Sequence, residues 1–173
     1  NLSKKWDEVS RIFTRAGYDF FIMDYRTFGK SKGLLSEKAL FKDASFVYEH
    51  CRKYFSEDKL IVYGCSLGTG IASYIGANYE PKKVILESPY SSMIDLATYT
   101  ASYLPKFSIP MILKYPLRSD EWVKKFTSPL LIFHGTEDKT IPHHMGEALF
   151  KSAEGIKSAE MISVEEIGHC EIA

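Results

Sequence analysis

Residues 60–70 read LIVYGCSLGTG, and this stretch decides the fold of the chain. Its first four residues, Leu60–Tyr63, form the short apolar run of a buried parallel strand, and a helix is predicted directly after the glycines. A Gly-x-Ser-x-Gly triplet between a strand and a helix is the setting of a nucleophile elbow, a sharp turn that exposes the serine hydroxyl. Gly64 and Gly68 leave room for such a turn. The motif therefore predicts Ser66 as a nucleophile whose Oγ lies near a helix N-terminus.

On both sides of this stretch, short apolar runs alternate with longer amphipathic ones, which is typical of a parallel sheet covered by helices. One helix is predicted to end at Gly17, and another begins after Ser36, whose side chain can cap it. Further strands are predicted at Tyr18–Asp24, Val84–Leu86, Pro129–His134 and Met161–Val164. The sequence thus predicts a single α/β domain over residues 1–173, with a mostly parallel sheet and helices on both faces.

Residues 89–117, between two of the predicted strands, are irregular and rich in proline and aromatic residues. We expect them to form a small helical cap over a pocket, with Tyr90, Tyr99 and Tyr103 as candidate substrate contacts. A plain packing layer explains the same pattern equally well, because aromatic stripes belong more often to a core than to a ligand site.

A serine hydroxyl is a weak nucleophile until a base takes its proton, and the base needs an acid to orient it. In folds with a nucleophile elbow, the chain order is serine, acid, histidine. Asp138 follows the strand at Pro129–His134, at the edge where the carboxyl ends of parallel strands meet, and His169 follows the last strand. We therefore predict Asp138 as the acid and His169 as the base. Glu137 remains an alternative acid because it adjoins Asp138.

The other candidate site groups surround these three residues. The backbone N–H of Leu67, next to the nucleophile, is predicted as one oxyanion-hole donor. His134 is expected to end its strand and pack against the following loop. His143 and His144 begin a helix and are expected to be exposed. A metal pair at these two is a minor alternative, because adjacent helical residues point apart and the sequence offers no third ligand.

The three cysteines, Cys51, Cys65 and Cys170, are an odd number at wide spacing. This pattern predicts neither a disulfide framework nor a zinc site. We expect Cys65 to face the core and Cys170 to face the interior of its loop. Cysteines without disulfides favour a reducing compartment, so the predicted location is cytoplasmic.

The charge balance limits the classes of partner. Lys and Arg number 22 and Asp and Glu number 22, so the formal net charge is zero. Without a basic stripe the chain lacks the electrostatic footprint of a nucleic-acid-binding protein, and we expect a small neutral or apolar substrate. No run approaches the ~20 apolar residues of a membrane span. The chain opens on Asn1 rather than a methionine, so an upstream signal or membrane anchor is compatible with the sequence. The sequence does not indicate an oligomeric state.

Five blocks of the sequence carry a resemblance to a known family. They are DYRTFGKSKG at 24–33, YGCSLGTG at 63–70, LESPY at 86–90, PLLIFHGTED at 129–138, and Gly168-His169. In this order the blocks resemble the α/β-hydrolase superfamily, in particular its small serine hydrolases of the Bem46-like and prolyl-oligopeptidase-like kind. The resemblance implies a Ser66–Asp138–His169 triad, an acyl-enzyme route, and no metal or organic cofactor.

The chain departs from that family in three places. Thr27 stands where relatives usually carry glycine. A His-Gly-Asn segment, whose loop supplies the second oxyanion donor, is expected immediately before Asn1 and does not occur in the chain. In the family order, the strand before that segment lies between the strands at Tyr18–Asp24 and Leu60–Tyr63, so we expect a gap in the sheet there. The helix that closes the fold after His169 is also missing. We therefore expect a partial domain, poorly stable and weakly active as a free chain.

The predicted function is that of a serine hydrolase that cleaves an ester, thioester or amide through an acyl-enzyme, with a carboxylesterase favoured. Its expected partner is a small acyl substrate. Two other classes of function remain open. An acyltransferase uses the same triad with an acceptor other than water, and a binding protein can keep the fold without the chemistry.

Overall fold

The computed structural model describes residues 4–101, 103–105 and 107–171. In chain order the helices are α1 (Lys4–Arg15), α2 (Glu37–Arg52), α3 (Gly68–Asn78), α4 (Met93–Thr100), α5 (Ile109–Ile112), α6 (Ser119–Trp122) and α7 (His143–Ser152). The strands are β1 (Ile61–Cys65), β2 (Lys83–Glu87), β3 (Leu130–Gly135) and β4 (Ala159–Val164). Short 3-10 turns lie at Glu57–Lys59 and Val123–Lys125. Four of the five predicted strands are confirmed within a few residues.

The four strands are all parallel and follow the order β1-β2-β3-β4. The register places Gly64 beside Leu86 and Leu86 beside Ile132, so the strands end level with one another. Between two parallel strands, the chain must cross from the carboxyl end of one strand to the amino end of the next. Helix α3 provides this crossover between β1 and β2, and α7 provides it between β3 and β4. As a result, the residues that follow the strands all meet at one edge of the sheet.

The main core lies on one face of the sheet. Val84, Leu86 and Ile132 are 0% exposed. They pack with Ala72 of α3 and Leu149 of α7. Because side chains alternate along a strand, the neighbouring positions point to the other face. There α1 contacts β1 through the rings of Trp6 and Phe13, which lie 6.2 and 5.5 Å from the Tyr63 ring. Helices therefore lie on both faces, as predicted.

Residues Tyr18–Asp24 form neither a strand nor a helix, and the prediction of a strand there is wrong. A strand is stable only when a neighbour pairs its backbone groups. Between this segment and β1 lies instead a cavity of about 910 Å³, lined by residues of both. Phe21 and Ile22 are 56% and 37% exposed in consequence. The open space lies where we expected a gap in the sheet, while the partial domain itself stays a prediction.

The cap predicted between β2 and β3 is present as α4 and α5. Met93, Leu96 and Tyr115 pack against a small cluster that includes Tyr90 and Leu117. In the cap and elsewhere, no helix of the described ranges has the length and apolar character needed to cross a bilayer.

Candidate active site

The turn after β1 has the geometry of a nucleophile elbow. Ser66 has φ 54°, a left-handed conformation that is uncommon outside glycine. Its N–H donates to the Glu87 carbonyl (3.0 Å), which ties the turn to β2. A Cβ on Gly64 would lie 2.6 Å from the Gly68 carbonyl oxygen and 2.7 Å from the Ala72 Cβ. Gly64 is thus required by the close approach of α3 to β1, and the turn holds Ser66 at the end of the strand.

Ser66, His169 and Asp138 form one chain of hydrogen bonds. His169 Nε2 lies 2.9 Å from Ser66 Oγ, and His169 Nδ1 lies 2.8 Å from Asp138 Oδ2. The serine and the histidine are separated by 103 positions in sequence, and the loops after β1, β3 and β4 bring the three side chains together. The arrangement lets the imidazole accept the serine proton while the carboxylate orients the ring.

Asp138 is held as a carboxylate. Its side chain is 0% exposed, and its Oδ1 accepts hydrogen bonds from the Thr140 and Ile141 N–H groups, both 2.9 Å long. Burial raises the pKa of Asp138, but the hydrogen bonds from Ile141, His169 and Ser88 outweigh that effect, so the pKa lies below its ordinary value. Glu137, the alternative acid, is exposed, whereas the Asp138 side chain is buried.

Ser88 is a member of the site that the sequence reasoning missed. It follows β2 as Ser66 follows β1, is 0% exposed and has φ 49°. Its Oγ accepts the Cys170 N–H (3.2 Å), and its side chain also hydrogen-bonds the Asp138 carboxylate. Ser88 therefore joins the acid to the loop that carries His169. Its position directly after a strand at the carboxyl edge was the signal that could have identified it.

His134 lies beneath the acid. It is 0% exposed, and its Nε2 lies 2.8 Å from the Ile141 carbonyl and 3.5 Å from Asp138 Oδ2. Burial lowers the pKa of His134. A neutral ring that donates from Nε2 to the Ile141 carbonyl braces the loop that contains Asp138. The expectation that His134 packs against this loop is confirmed.

Leu67 is the residue immediately before α3, with φ −50° and ψ −36°. The first amides of a helix have no partner within the helix, and the helix dipole favours negative charge at this end. Leu67 N–H therefore belongs to the groups that can face an oxyanion formed at Ser66.

The three tyrosines predicted as substrate contacts have different surroundings. Tyr90 is 0% exposed, and its OH donates to the Leu67 carbonyl (3.2 Å). Burial raises the pKa of Tyr90, which keeps its hydroxyl protonated as a donor. This position gives Tyr90 a role in supporting the elbow rather than one in direct contact with a substrate. Tyr99 and Tyr103 are 54% and 83% exposed on the cap.

Two cavities adjoin the elbow. The large one beside β1 reaches Ser66 and His169. The smaller one, about 110 Å³, lies under the cap next to Leu67 and is lined by aliphatic, methionine and aromatic side chains, including Met93 and Leu117. Tyr25 lines both cavities, and burial raises its pKa to about 12. Neither of these two cavities is lined by Tyr90, Tyr99 or Tyr103.

The cysteines contradict the prediction of no disulfide. Cys65 and Cys170 are joined by a disulfide, while Cys51 is free and buried in α2. The prediction failed because the partners are 105 positions apart and meet only when β1 and the His169 loop come together. Disulfides persist in oxidising compartments, so the cysteines no longer support the predicted cytoplasmic location, which stays a prediction.

The predicted metal alternative finds little support in the arrangement of the histidines. His144 is exposed as expected, with its ring 5.8 Å from the Tyr99 ring. His143 was also expected to be exposed but is only partly so, and its Nε2 lies 2.8 Å from Ser163 Oγ. Among the residues that the structure describes, neither belongs to a group of three or more metal-ligating side chains. One such group consists of Cys65, Cys170 and Glu87, and its two sulfur atoms are the disulfide pair.

The fold and this site agree with the comparison to protein families. The pattern that describes the serine aminopeptidase S33 family matches residues 2–119. The chain belongs to this family of α/β-hydrolases.

Two curated relatives are similar over most of the chain. The lysophosphatidylserine lipase ABHD12 of Danio rerio is 30% identical over 166 residues, covering 87% of this chain and 44% of that protein. Alpha/beta hydrolase domain-containing protein 17B of Xenopus laevis is 32% identical over 167 residues, covering 92% of this chain and 53% of that protein. The chain thus spans about half the length of the curated relatives it matches.

Solved structures share the fold at low sequence identity. The esterase domain of a Rhodothermus marinus protein has a TM-score of 0.70 at 18% identity, covering 98% of this chain and 71% of that one. A Paleococcus ferrophilus monoacylglycerol lipase has a TM-score of 0.70 at 16% identity, covering 96% and 81%. The Pyrococcus furiosus esterase Pf2001 has a TM-score of 0.72 at 16% identity, covering 95% and 68%. These likenesses support the α/β-hydrolase fold.

Proposed function

We propose that the protein is a serine hydrolase that cleaves a carboxylic ester through an acyl-enzyme on Ser66. The observation that carries this proposal is the unbroken chain of hydrogen bonds from Ser66 Oγ through His169 to Asp138, with distances of 2.9 and 2.8 Å. Each group has the chemistry that its position requires: a nucleophile on a strained turn, a base within reach of its proton, and an ionised acid behind the base.

In the first half of the reaction, Ser66 Oγ attacks the substrate carbonyl as His169 Nε2 takes its proton. The imidazolium that forms is stabilised by Asp138, which stays ionised because its hydrogen bonds lower its pKa. The Leu67 N–H, at the N-terminus of α3, donates to the developing oxyanion. The same proton then passes from His169 to the leaving alcohol, and the ester bond breaks.

In the second half, His169 removes a proton from water, which attacks the acyl-enzyme on Ser66. The tetrahedral oxyanion is again held by the Leu67 N–H. His169 returns the proton to Ser66 Oγ, which releases the carboxylic acid and restores the starting state. Besides the substrate, the steps use the Ser66, His169 and Asp138 side chains, the backbone N–H of Leu67 and water.

The surroundings of the elbow favour an ester with an apolar acyl group. The small cavity beside Leu67 is walled by apolar side chains, which favours a short apolar group over a charged one. A lipase and esterases among the relatives and fold neighbours support ester chemistry. The family's description as serine aminopeptidases makes amide hydrolysis the second candidate.

The test is a comparison of p-nitrophenyl esters of increasing acyl length with aminoacyl p-nitroanilides on the purified protein. We expect short-chain esters to be cleaved faster than the anilides, and Ser66→Ala to abolish both reactions. Ser73→Ala is the matched control, because Ser73 lies buried in α3, the helix that follows the elbow, and its Oγ has no hydrogen-bond partner among the described residues. Faster cleavage of the anilides would favour the peptidase, and full activity of Ser66→Ala would refute the triad.

A further inference from the structure

A disulfide brackets the two reacting side chains of the site. Cys65 directly precedes Ser66, and Cys170 directly follows His169. Their Cα atoms lie 6.5 Å apart, although 105 positions separate them in sequence. The cross-link therefore ties the end of β1 to the loop after β4, at the point where the base must meet the nucleophile.

Hydrogen bonds also tie the loop that carries His169 to the domain. His169 Nδ1 lies 2.8 Å from Asp138 Oδ2, and the Glu166 N–H donates to Thr136 Oγ1 (3.1 Å). The Glu137 N–H donates to the Ile167 carbonyl (3.0 Å), and the Cys170 N–H donates to Ser88 Oγ (3.2 Å). Single hydrogen bonds of this kind contribute only modestly to stability, because each one replaces a hydrogen bond to water. The covalent link limits the loop more strongly, because it removes conformations in which His169 moves away from Ser66. Without the disulfide, the distance between Ser66 Oγ and His169 Nε2 depends on non-covalent contacts alone.

The sulfur of Cys170 also lies close to the reacting nitrogen. Its Sγ is 3.7 Å from His169 Nε2, the atom that takes the Ser66 proton. In the disulfide, this sulfur carries no hydrogen and cannot donate. As a thiol it becomes a weak donor beside Nε2 and competes with Ser66 Oγ for the same lone pair. Both effects of reduction, the looser loop and the competing thiol, act against the nucleophile.

We propose that the Cys65–Cys170 disulfide is a redox-active modification site at which a dithiol switches off hydrolysis by Ser66. The proposal rests on the proposed function of the triad. A reductant has access because both cysteines line the large cavity beside β1, and Cys65 is only partly buried. Cys170 is 6% exposed, so attack occurs at Cys65.

The step is a two-electron thiol–disulfide exchange. A thiolate of the dithiol attacks Cys65 Sγ, the bond between the two protein sulfurs breaks, and Cys170 leaves as a thiolate that takes up a proton. The second thiol of the reductant, as its thiolate, then attacks its own sulfur in the mixed disulfide and displaces Cys65. The products are two protein thiols and a cyclic disulfide of the oxidised reductant. Oxidation by a disulfide of the same class reverses the change.

The experiment measures hydrolysis of a p-nitrophenyl ester and labelling of Ser66 by a fluorophosphonate before and after treatment with dithiothreitol. Maleimide mass shifts count the thiols under denaturing conditions. We expect two more thiols after treatment, and a fall in both activities of about ten- to a hundredfold, the effect expected from small misplacement of a catalytic group. Oxidised dithiothreitol should restore the original rates.

Two variants separate the cross-link from other effects of the reductant. Cys65→Ala/Cys170→Ala should have low activity that dithiothreitol does not change, whereas Cys51→Ala should respond like the natural protein. Circular dichroism of the reduced protein shows whether it stays folded, and recovery on oxidation shows that the loss is reversible. Equal rates in the fully reduced and oxidised proteins would overturn the redox inference alone. Absence of Ser66 labelling in both forms would overturn this inference together with the proposed function.

Discussion

Two regions of this molecule contain similar apolar runs but have different structures. In residues 60–171 the runs become four paired strands, and Leu86 and Ile132 are 0% exposed between α3 and α7. In residues 17–35, the run at Tyr18–Asp24 forms no strand, and Phe21 is 56% exposed. The run at Val84–Leu86 has paired neighbours on both sides, whereas the run at Tyr18–Asp24 has a cavity next to it. Apolar composition makes a strand possible, and a partner for the backbone makes it stable.

The two regions also contribute differently to the candidate active site. The region of paired strands, residues 60–171, carries Ser66, Asp138 and His169, each on a loop that follows a strand ending at the same edge of the sheet. The segment at 17–35 contributes Tyr25, which lines both cavities. We therefore expect truncation of a buried side chain in the paired strands to lower stability more than truncation of an exposed side chain in the segment at 17–35.

The largest expected effect is on the base. If His169 is the proton acceptor of Ser66, His169→Ala should lower kcat about 10⁴–10⁶-fold, as the loss of one triad member does in well-characterised serine proteases. Steady-state hydrolysis of a p-nitrophenyl ester measures it. His144→Ala, an exposed histidine of α7, should keep full activity. Similar losses in both variants would mean that the effect is on the fold rather than on catalysis.

The second largest effect on activity is expected at the acid, Asp138. Asp138→Asn keeps the size of the side chain but favours the wrong histidine tautomer, and it should lower kcat about 10⁴-fold. Glu137→Gln changes the exposed neighbouring carboxyl and should leave kcat within a factor of about two, as expected of a surface change. Loss of activity in Glu137→Gln with retention in Asp138→Asn would exchange the roles of the two acids.

The packing contrast is tested by one truncation in each region. Leu86→Ala removes a fully buried side chain and should cost about 2–5 kcal/mol of the free energy of unfolding. Phe21→Ala should cost less than about 1 kcal/mol, because more than half of that side chain is exposed. Urea unfolding measures both. An equal cost for Phe21→Ala would show that the segment at 17–35 is buried in solution and would break the comparison.

Part of the fold and part of the candidate site could be predicted from the sequence. The elbow, Asp138 and His169 could be predicted because each lies in a short motif next to a strand. Such a motif is identified from neighbouring residues, without knowledge of the tertiary contacts. Ser88 and the Cys65–Cys170 disulfide were missed because they are defined by contacts between loops more than 80 positions apart. The strand at Tyr18–Asp24 was predicted wrongly because an apolar run does not reveal whether a neighbouring strand is present.

A smaller effect is expected from the close approach at the elbow. A Cβ on Gly64 meets the Gly68 carbonyl and Ala72, so Gly64→Ala should cost about 1–3 kcal/mol of stability. Gly155→Ala is the matched control, because a Cβ there meets nothing within 4 Å. Thermal unfolding compares the two variants. If Gly64→Ala were as stable as Gly155→Ala, α3 would not lie as close to β1 as the structure has it.

The smallest expected effect is a pH dependence of stability. The pKa of Asp138 is lower in the folded than in the unfolded protein, so the stabilisation is fully present above the ordinary aspartate pKa of about 3.9. It is lost as the pH falls through the lower, folded-state value. As the pH is lowered from about 6 to about 3, a range that spans this reference pKa, the free energy of unfolding should therefore fall less steeply in Asp138→Asn than in Glu137→Gln. Parallel curves would mean that the Asp138 carboxylate is not stabilised by its hydrogen bonds.

The central claim is that Ser66 is a nucleophile activated by His169 and Asp138. Its most direct measurement is the rate and position of covalent labelling by a fluorophosphonate, read by peptide mass spectrometry. We predict a single adduct on Ser66, formed much more slowly in His169→Ala and at the normal rate in His144→Ala. An adduct on another residue, no adduct at all, or an unchanged rate in His169→Ala would contradict it.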